Sequence, residues 1–316
     1  MLAVCLHRGR VALQNDARPR RSKGFALIRL LYAGICNTDL ELQRGYYDFS
    51  GVPGHEFVGE VLAADNRKWI GKRVVGEINL ACGKCEWCVR GLGRHCPKRS
   101  VLGIVKHPGA FRELLTLPEA NLHAVPPEIP SEHAVFVEPL AAACEILDQV
   151  KIPRGATVAV LGDGKLGLLI AQVLKTHGSE VHQYGRHRGK LKIAADAGVD
   201  ARVARKLPVA QYDWVVDASG SNQGLAQAVR MTRPRGTVVL KSTVHGLVRI
   251  DSAPIVVNEI NLVGSRCGRF EPALKLLRSG RVRVDKLISE ALPLNKAPLA
   301  FKRAATPGIL KVLLHA

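Results

Sequence analysis

The first third of the chain carries short apolar runs broken by glycine and proline. Residues 25–32 (FALIRLLY) and 56–62 (EFVGEVL) have the apolar, β-branched and aromatic content of strands. The VPPEIP segment at 125–130 reads as a linker, and Ser131 as the N-cap of a helix reaching about Val150. Beyond it the period changes. TVAVL at 157–161 is a short buried strand, followed by glycines and an apolar helix from Lys165 to about Thr176. Strand-like 180–184, a helix near 190–197, strand-like 214–217, a helix at 223–231 and a strand at 237–240 follow. Strands alternating with helices predict an α/β fold with a doubly wound parallel sheet. From about Phe270 to Ala316 the pattern returns to short helices and a last strand at 309–314. No internal repeat or low-complexity tract interrupts it.

With 316 residues, 47% hydrophobic and 23% charged, the chain is long enough for two globular domains. No apolar run has the length of a membrane span, and the N-terminus lacks the apolar core of a secretory signal, with Arg8 and Arg10 in its place. Eight cysteines without such a signal predict a reducing, cytoplasmic setting. The net charge of +19 admits a basic solvated surface, an anionic small ligand, or nucleic acid, in that order. Basic residues are dispersed and aromatics are only 5%, so there is no basic stripe with stacking residues, and neither nucleic acid nor membrane is expected as a partner.

Cys82, Cys85, Cys88 and Cys96 stand at spacing C-x2-C-x2-C-x7-C. Four thiolates so close in sequence can close a tetrahedral shell around one zinc ion, leaving no open position, so this site is expected to build structure rather than do chemistry. A pair of disulfides or scattered core thiols fits the spacing less well.

Gly162-x-Gly164-x-x-Gly167, with Lys165 and Leu166 inside it, follows a strand and opens a helix. Glycines there let backbone N–H groups approach a pyrophosphate, and the helix terminus favours its charge, so dinucleotide binding is expected. An NAD site offers Asp or Glu about 20 residues on, for the ribose 2′-hydroxyl. Here the next strand ends Gln-Tyr-Gly-Arg186-His-Arg188, with no carboxylate. Arg186 and Arg188 stand where a 2′-phosphate would lie, which favours NADP.

Further residues fall in short motifs. Cys36, Thr38 and Asp39 lie in GICNTD, His55 and Glu56 in GHE, Glu138 in VEPLA, and Ser219 in VVDASG. Their order, with the cysteine quartet and the glycine loop, resembles the zinc-dependent medium-chain dehydrogenase/reductase family, most of all its sorbitol, threonine and glucose dehydrogenase branches. The resemblance covers nearly the whole chain. It implies a GroES-like β-rich catalytic domain, residues 1–125 and 270–316 with a zinc lobe at 80–97, and a Rossmann domain at 126–269.

The resemblance also implies roles. Cys36 and His55 match the first two ligands of a catalytic zinc. Glu138 matches the third-ligand position, and Glu56 a neighbouring carboxylate that can enter the shell or replace that ligand. Thr38 matches the hydroxyl that contacts the substrate oxygen, and Asp39 the carboxylate that orients the zinc-bound histidine. Lys311 falls near a cation that helps hold the cofactor phosphates. The implied activity is NAD(P)-linked hydride transfer between a secondary alcohol, polyol, sugar or amino-alcohol and its carbonyl, with zinc as Lewis acid. The implied assembly is a homodimer or homotetramer, with Asn261–Gly264 a candidate edge strand. Two features depart from the pattern: Glu41 stands where many relatives carry a relay histidine, and the chain is short for the family. A zinc-independent quinone or enone reductase on the same fold, and a non-catalytic zinc- and nucleotide-binding regulatory or nucleic-acid-binding protein, are the competing readings.

Overall fold

The structure is a computed structural model that describes residues 1–243 and 247–316. Two compact units divide the chain. One comprises Met1–Glu138, Ala273–Arg278 and Leu287–Ala316, the other Pro139–Pro272 and Ser279–Lys286.

In the first unit the main sheet runs in the order Leu122–Ala124, Arg73–Gly76, Glu56–Ala63, Phe25–Gly34, Lys311–His315, Ile288–Pro293, and Leu114–Pro118 also pairs with Phe25–Gly34. All these pairings are antiparallel except the last neighbours in the row, which are parallel and joined through helix Ala297–Ala304. Two register shifts between Phe25–Gly34 and Glu56–Ala63 bend that pair. A hairpin, Leu2–His7 with Arg10–Asn15, turns through Arg8 and Gly9, both at positive φ, as a two-residue turn of this hand requires. The cysteine lobe stands beside a small sheet of Asn79–Leu80, Ser100–Leu102 and Lys106–His107.

The second unit is built on six parallel strands in the spatial order Asp200–Val203, Glu180–Gly185, Thr157–Leu161, Tyr212–Asp217, Thr232–Leu240, Asn261–Gly264. Numbered along the chain this is 3-2-1-4-5-6, the doubly wound order that binds dinucleotides where the strand sequence reverses. Thr157–Leu161 and Glu180–Gly185 are near-continuously buried, as expected for strands covered on both faces. Ala159, Leu161, Val215 and Val238 pack with Ala228 and Met231 in one core.

One expectation is corrected. The helix expected over 131–150 is broken: it runs Ser131–Ala134, then Val137–Gln149. Ser131 does not cap it, because its hydroxyl accepts Arg73 Nη1 at 2.9 Å. By its internal packing the first unit reaches Glu138. Arg73 explains this, since its guanidinium also donates to Pro126 O at 3.0 Å and its carbonyl accepts the Val125 N–H. The proline-rich stretch is thereby tied to the first unit, and the chain leaves it inside the helix.

Candidate active site

Three neighbouring strands bring one group of side chains together. Phe25–Gly34 runs directly into Cys36, its antiparallel neighbour begins with Glu56 next to His55, and its other neighbour begins with Lys311. The ligand atoms of Cys36, His55 and Glu56 all lie within 4.8 Å of one another. A thiol, a ring nitrogen and a carboxylate in that space form the mixed N/S/O donor set of a zinc site. Glu138, half-buried in the first turn of Val137–Gln149, is not in this group.

The surroundings fix the donors. Helix Asn37–Gln43 starts after Cys36, and Asp39 at its third position reaches back to accept the Cys36 N–H at 2.8 Å. The other Asp39 oxygen accepts the Gly54 N–H at 3.2 Å and lies 3.4 Å from His55 Nδ1, an electrostatic contact rather than a well-formed hydrogen bond. Gly54 takes φ +99°, and a Cβ there would enter the Phe111 ring, so the loop that delivers His55 depends on glycine. Burial disfavours a charged His55, but Asp39 and the Cys36 thiol outweigh it and raise the ring's pKa well above its usual value. Thr38 Oγ1 lies 3.8 Å from Cys36 Sγ. Glu41 is held by Arg44 at 2.5 Å.

Lys311 is paired inside the first unit. The resemblance puts it at the cofactor phosphates, but it is fully buried and its ammonium is bound to the Glu56 carboxylate, 5.7 Å above the Phe136 ring. Its surroundings support the role of a buried counter-ion to Glu56. Burial opposes its charge, yet Glu56 and the Cys36 thiol raise its pKa. Gly34 makes room for the pair, since a Cβ there would lie 2.7 Å from Glu56 Oε2 and 3.1 Å from Lys311 Cδ.

The four cysteines of the lobe also converge. Cys85 Sγ lies 3.4 Å from Cys88 Sγ and 3.6 Å from Cys96 Sγ, and Cys82 Sγ is 3.9 Å from Cys88 Sγ. A disulfide needs about 2.05 Å. A tetrahedron with Zn–S arms of about 2.3 Å has edges of about 3.8 Å, which these separations bracket. The N–H groups of Lys84 and Cys85 pull the Cys82 thiol down to about 6, whereas burial and the neighbouring thiols push Cys88 up to about 11. The quartet therefore fits a zinc ion, which would hold all four as thiolates.

In the second unit the glycine loop has the shape its sequence requires. Gly162 sits at φ +117° against the Ala218 backbone, and a Cβ on Gly167 would strike the Gly162 carbonyl, so both serve close packing. Gly164 has no atom within 4 Å of where a Cβ would stand, which leaves its backbone open to a ligand at the start of helix Lys165–His177. Lys165 and Leu166 are half-buried in the first helical turn. Ser219 is engaged in its own turn, its N–H on Asp217 and its hydroxyl accepting the Ser221 N–H. Arg186 and Arg188 are exposed, and their guanidinium groups make no ion pair among the described residues. Asp163, which no sequence motif marks, hydrogen-bonds the Arg186 and His187 N–H groups. Its only sequence signal is a carboxylate inside a loop that otherwise needs glycine.

Known proteins match both units. Residues 22–127 match the alcohol dehydrogenase GroES-like domain, and residues 166–279 the zinc-binding dehydrogenase domain. The erythritol/L-threitol dehydrogenase of Mycolicibacterium smegmatis is 30% identical over 90% of this chain and 88% of its own. A sorbitol dehydrogenase of Halalkalibacterium halodurans is 28% identical over 97% of this chain and 96% of its own. A zinc-binding dehydrogenase from Sinorhizobium meliloti 1021, solved with NADP bound, superimposes with a TM-score of 0.91 at 29% identity, covering 100% of this chain and 99% of that one.

Proposed function

The chain belongs to the zinc-type medium-chain alcohol dehydrogenase family, and from that membership we propose how its own residues divide the work. It is an oxidoreductase that interconverts a small-molecule alcohol and its carbonyl with zinc and a nicotinamide cofactor. The finer reading is two zinc sites per chain, NADP as the preferred cofactor, and a polyol or sugar-like substrate of the kind its relatives' names describe. The convergence of Cys36, His55 and Glu56 is the observation that carries it.

When bound, zinc supplies Lewis acidity at the reacting oxygen and the nicotinamide carries the hydride. Cys36, as thiolate, and Glu56, as carboxylate, offer two negative charges to a dication, the second shared with the Lys311 ammonium, and Glu138, at the position the resemblance marks, is a further donor to be tested. Asp39 fixes His55 and, through the Cys36 N–H, the start of the helix that carries Thr38. The Thr38 hydroxyl, beside the Cys36 sulfur, is the group we assign to take the alcohol proton outward. Glu41 is a candidate next acceptor, with Arg44 holding its carboxylate. NADP-linked oxidation of an alcohol panel, with zinc measured on the same sample, tests the reading. Turnover without zinc would sink it and favour the enone-reductase alternative.

Cofactor choice and the cysteine lobe can each be tested alone. Arg186→Asp is expected to shift preference from NADPH towards NADH by about tenfold or more, read as the ratio of kcat/KM values. An unchanged ratio would remove Arg186 from phosphate recognition. Cys96→Ser, at the buried member of the quartet, is expected to release about one zinc per chain and open residues 80–97 to trypsin at Lys84, Arg90 and Arg94. A lobe that stays resistant with its zinc gone would show that the metal does not hold it.

Assembly into a homodimer or homotetramer is proposed through Asn261–Gly264. This strand is one edge of the parallel sheet, with Leu262 exposed and Val256 and Val257 exposed close by in the sequence.

A further inference from the structure

The sequence offers no carboxylate at the end of the second parallel strand, yet the fold delivers one there from the glycine loop. Asp163 Oδ2 accepts the backbone N–H of Arg186 at 2.7 Å and that of His187 at 2.6 Å. The His187 ring nitrogen Nδ1 lies 3.0 Å from Oδ2 and 3.2 Å from Oδ1. The residue is 8% exposed. Gly185 permits the approach, because a Cβ there would stand 2.5 Å from Asp163 Cβ. Burial alone would raise the carboxyl's pKa, but the His187 N–H and ring and the Arg186 N–H outweigh it and lower it, so the group is an anion at neutral pH.

In a doubly wound nucleotide fold, the end of this strand reads the 2′ substituent of the adenosine ribose. Here the two N–H groups at that place are already bonded to an internal anion. What remains for a ligand is the pair of exposed guanidinium groups on Arg186 and Arg188, which have no ion-pair partner among the described residues. One fixed negative charge and two such cations therefore share the turn.

We propose that Asp163 limits the preference for NADP: its carboxylate fills the place a 2′-phosphate would otherwise take on the Arg186 and His187 N–H groups, so the phosphate is read by the guanidinium groups alone and against a standing negative charge. The inference builds on the reading that Arg186 and Arg188 face the 2′ substituent. Asp163 is thus a positioning residue, acting through the 185–187 turn. Its charge and its tether are separable by substitution. Both N–H bonds end on the same oxygen, so the amide oxygen of asparagine can keep both, with its NH2 group towards the His187 ring. Asparagine then removes the charge and leaves the turn in place, whereas alanine removes both.

The test is the dissociation constant for NADPH and for NADH, read by nicotinamide fluorescence on the zinc-loaded full chain, in the wild type, D163N, D163A and R186A. D163N is expected to tighten NADPH about fivefold while NADH changes less than about twofold, the scale of one nearby charge acting on a phosphate. D163A is expected to weaken both cofactors by releasing the turn, with the NADPH-to-NADH ratio still moved towards NADPH. An unchanged ratio in D163N with native circular dichroism, or an equal loss for both cofactors, would overturn the role given to Asp163. NADPH binding unaffected in R186A would instead overturn the phosphate reading beneath it. R186A weakening NADPH while D163N leaves the ratio fixed would isolate the failure to Asp163.

Discussion

Cys36→Ser and His55→Ala are each expected to lower kcat/KM for alcohol oxidation by about a thousandfold or more, the scale of losing a Lewis-acid centre worth several kcal/mol. Both side chains sit at strand ends that the sheet holds together whether or not metal is present. The fold should therefore survive, and zinc content should fall from about two to about one per chain, with the quartet still loaded. Three measurements check this on one preparation: turnover, zinc by atomic absorption, and the far-ultraviolet dichroism of the variant. Near-normal turnover in either variant would remove the metal group from the chemistry. Loss of both zincs together would mean that the two sites are not independent. Serine is the sharper probe of Cys36, because it keeps the size of the side chain and exchanges only sulfur for oxygen, a much poorer zinc donor when protonated.

The second unit is largely legible in the amino-acid sequence, because its signals are local. TVAVL, the glycine spacing and the following apolar helix lie within about twenty residues, and each observed bound falls close to the expected one. The parallel strand Asp200–Val203 escapes such reading because it is short, partly exposed and polar, with no apolar run to mark it. The hairpin Leu2–Asn15 escapes it for a different reason. Its turn uses Arg8 at positive φ, a residue that does not advertise a left-handed backbone.

The first unit hides its decisive pairings in long separations. Cys36 and His55 can be joined only through a resemblance, since no period links them. Lys311 pairs with a residue 255 positions away, and a lone lysine before a final strand reads as well for a cofactor cation as for a buried counter-ion. Asp163 illustrates the same limit in miniature. The absence of a carboxylate at the strand end is true of the sequence and false of the space, because the loop 23 residues earlier bends its own carboxylate there.

Lys311 leads to the second large effect, this time on stability. In the zinc-free protein, Lys311→Met is expected to cost roughly 3–5 kcal/mol, the range for removing one partner of a buried ion pair and leaving the other charge uncompensated. The side chains of Lys311 and Glu56 are each about 1% exposed, so water cannot replace the missing ammonium. Methionine is close in length and fills the same space beneath Gly34 and beside Phe136, so the loss would come from charge rather than from a cavity. Glu56→Gln alone should also destabilise, because it strands a buried ammonium. The double variant K311M/E56Q should recover most of the loss, since neither charge remains to be solvated. Denaturant unfolding followed through Trp69 and Trp87, which lie in the first unit, reads the difference. A Lys311→Met protein as stable as the parent, with weakened cofactor binding, would return this lysine to the phosphates and leave Glu56 free to bind metal unaided. Additive losses in the double variant would show that the two side chains are not coupled, and the buried pair would then be no part of what holds the metal group in place.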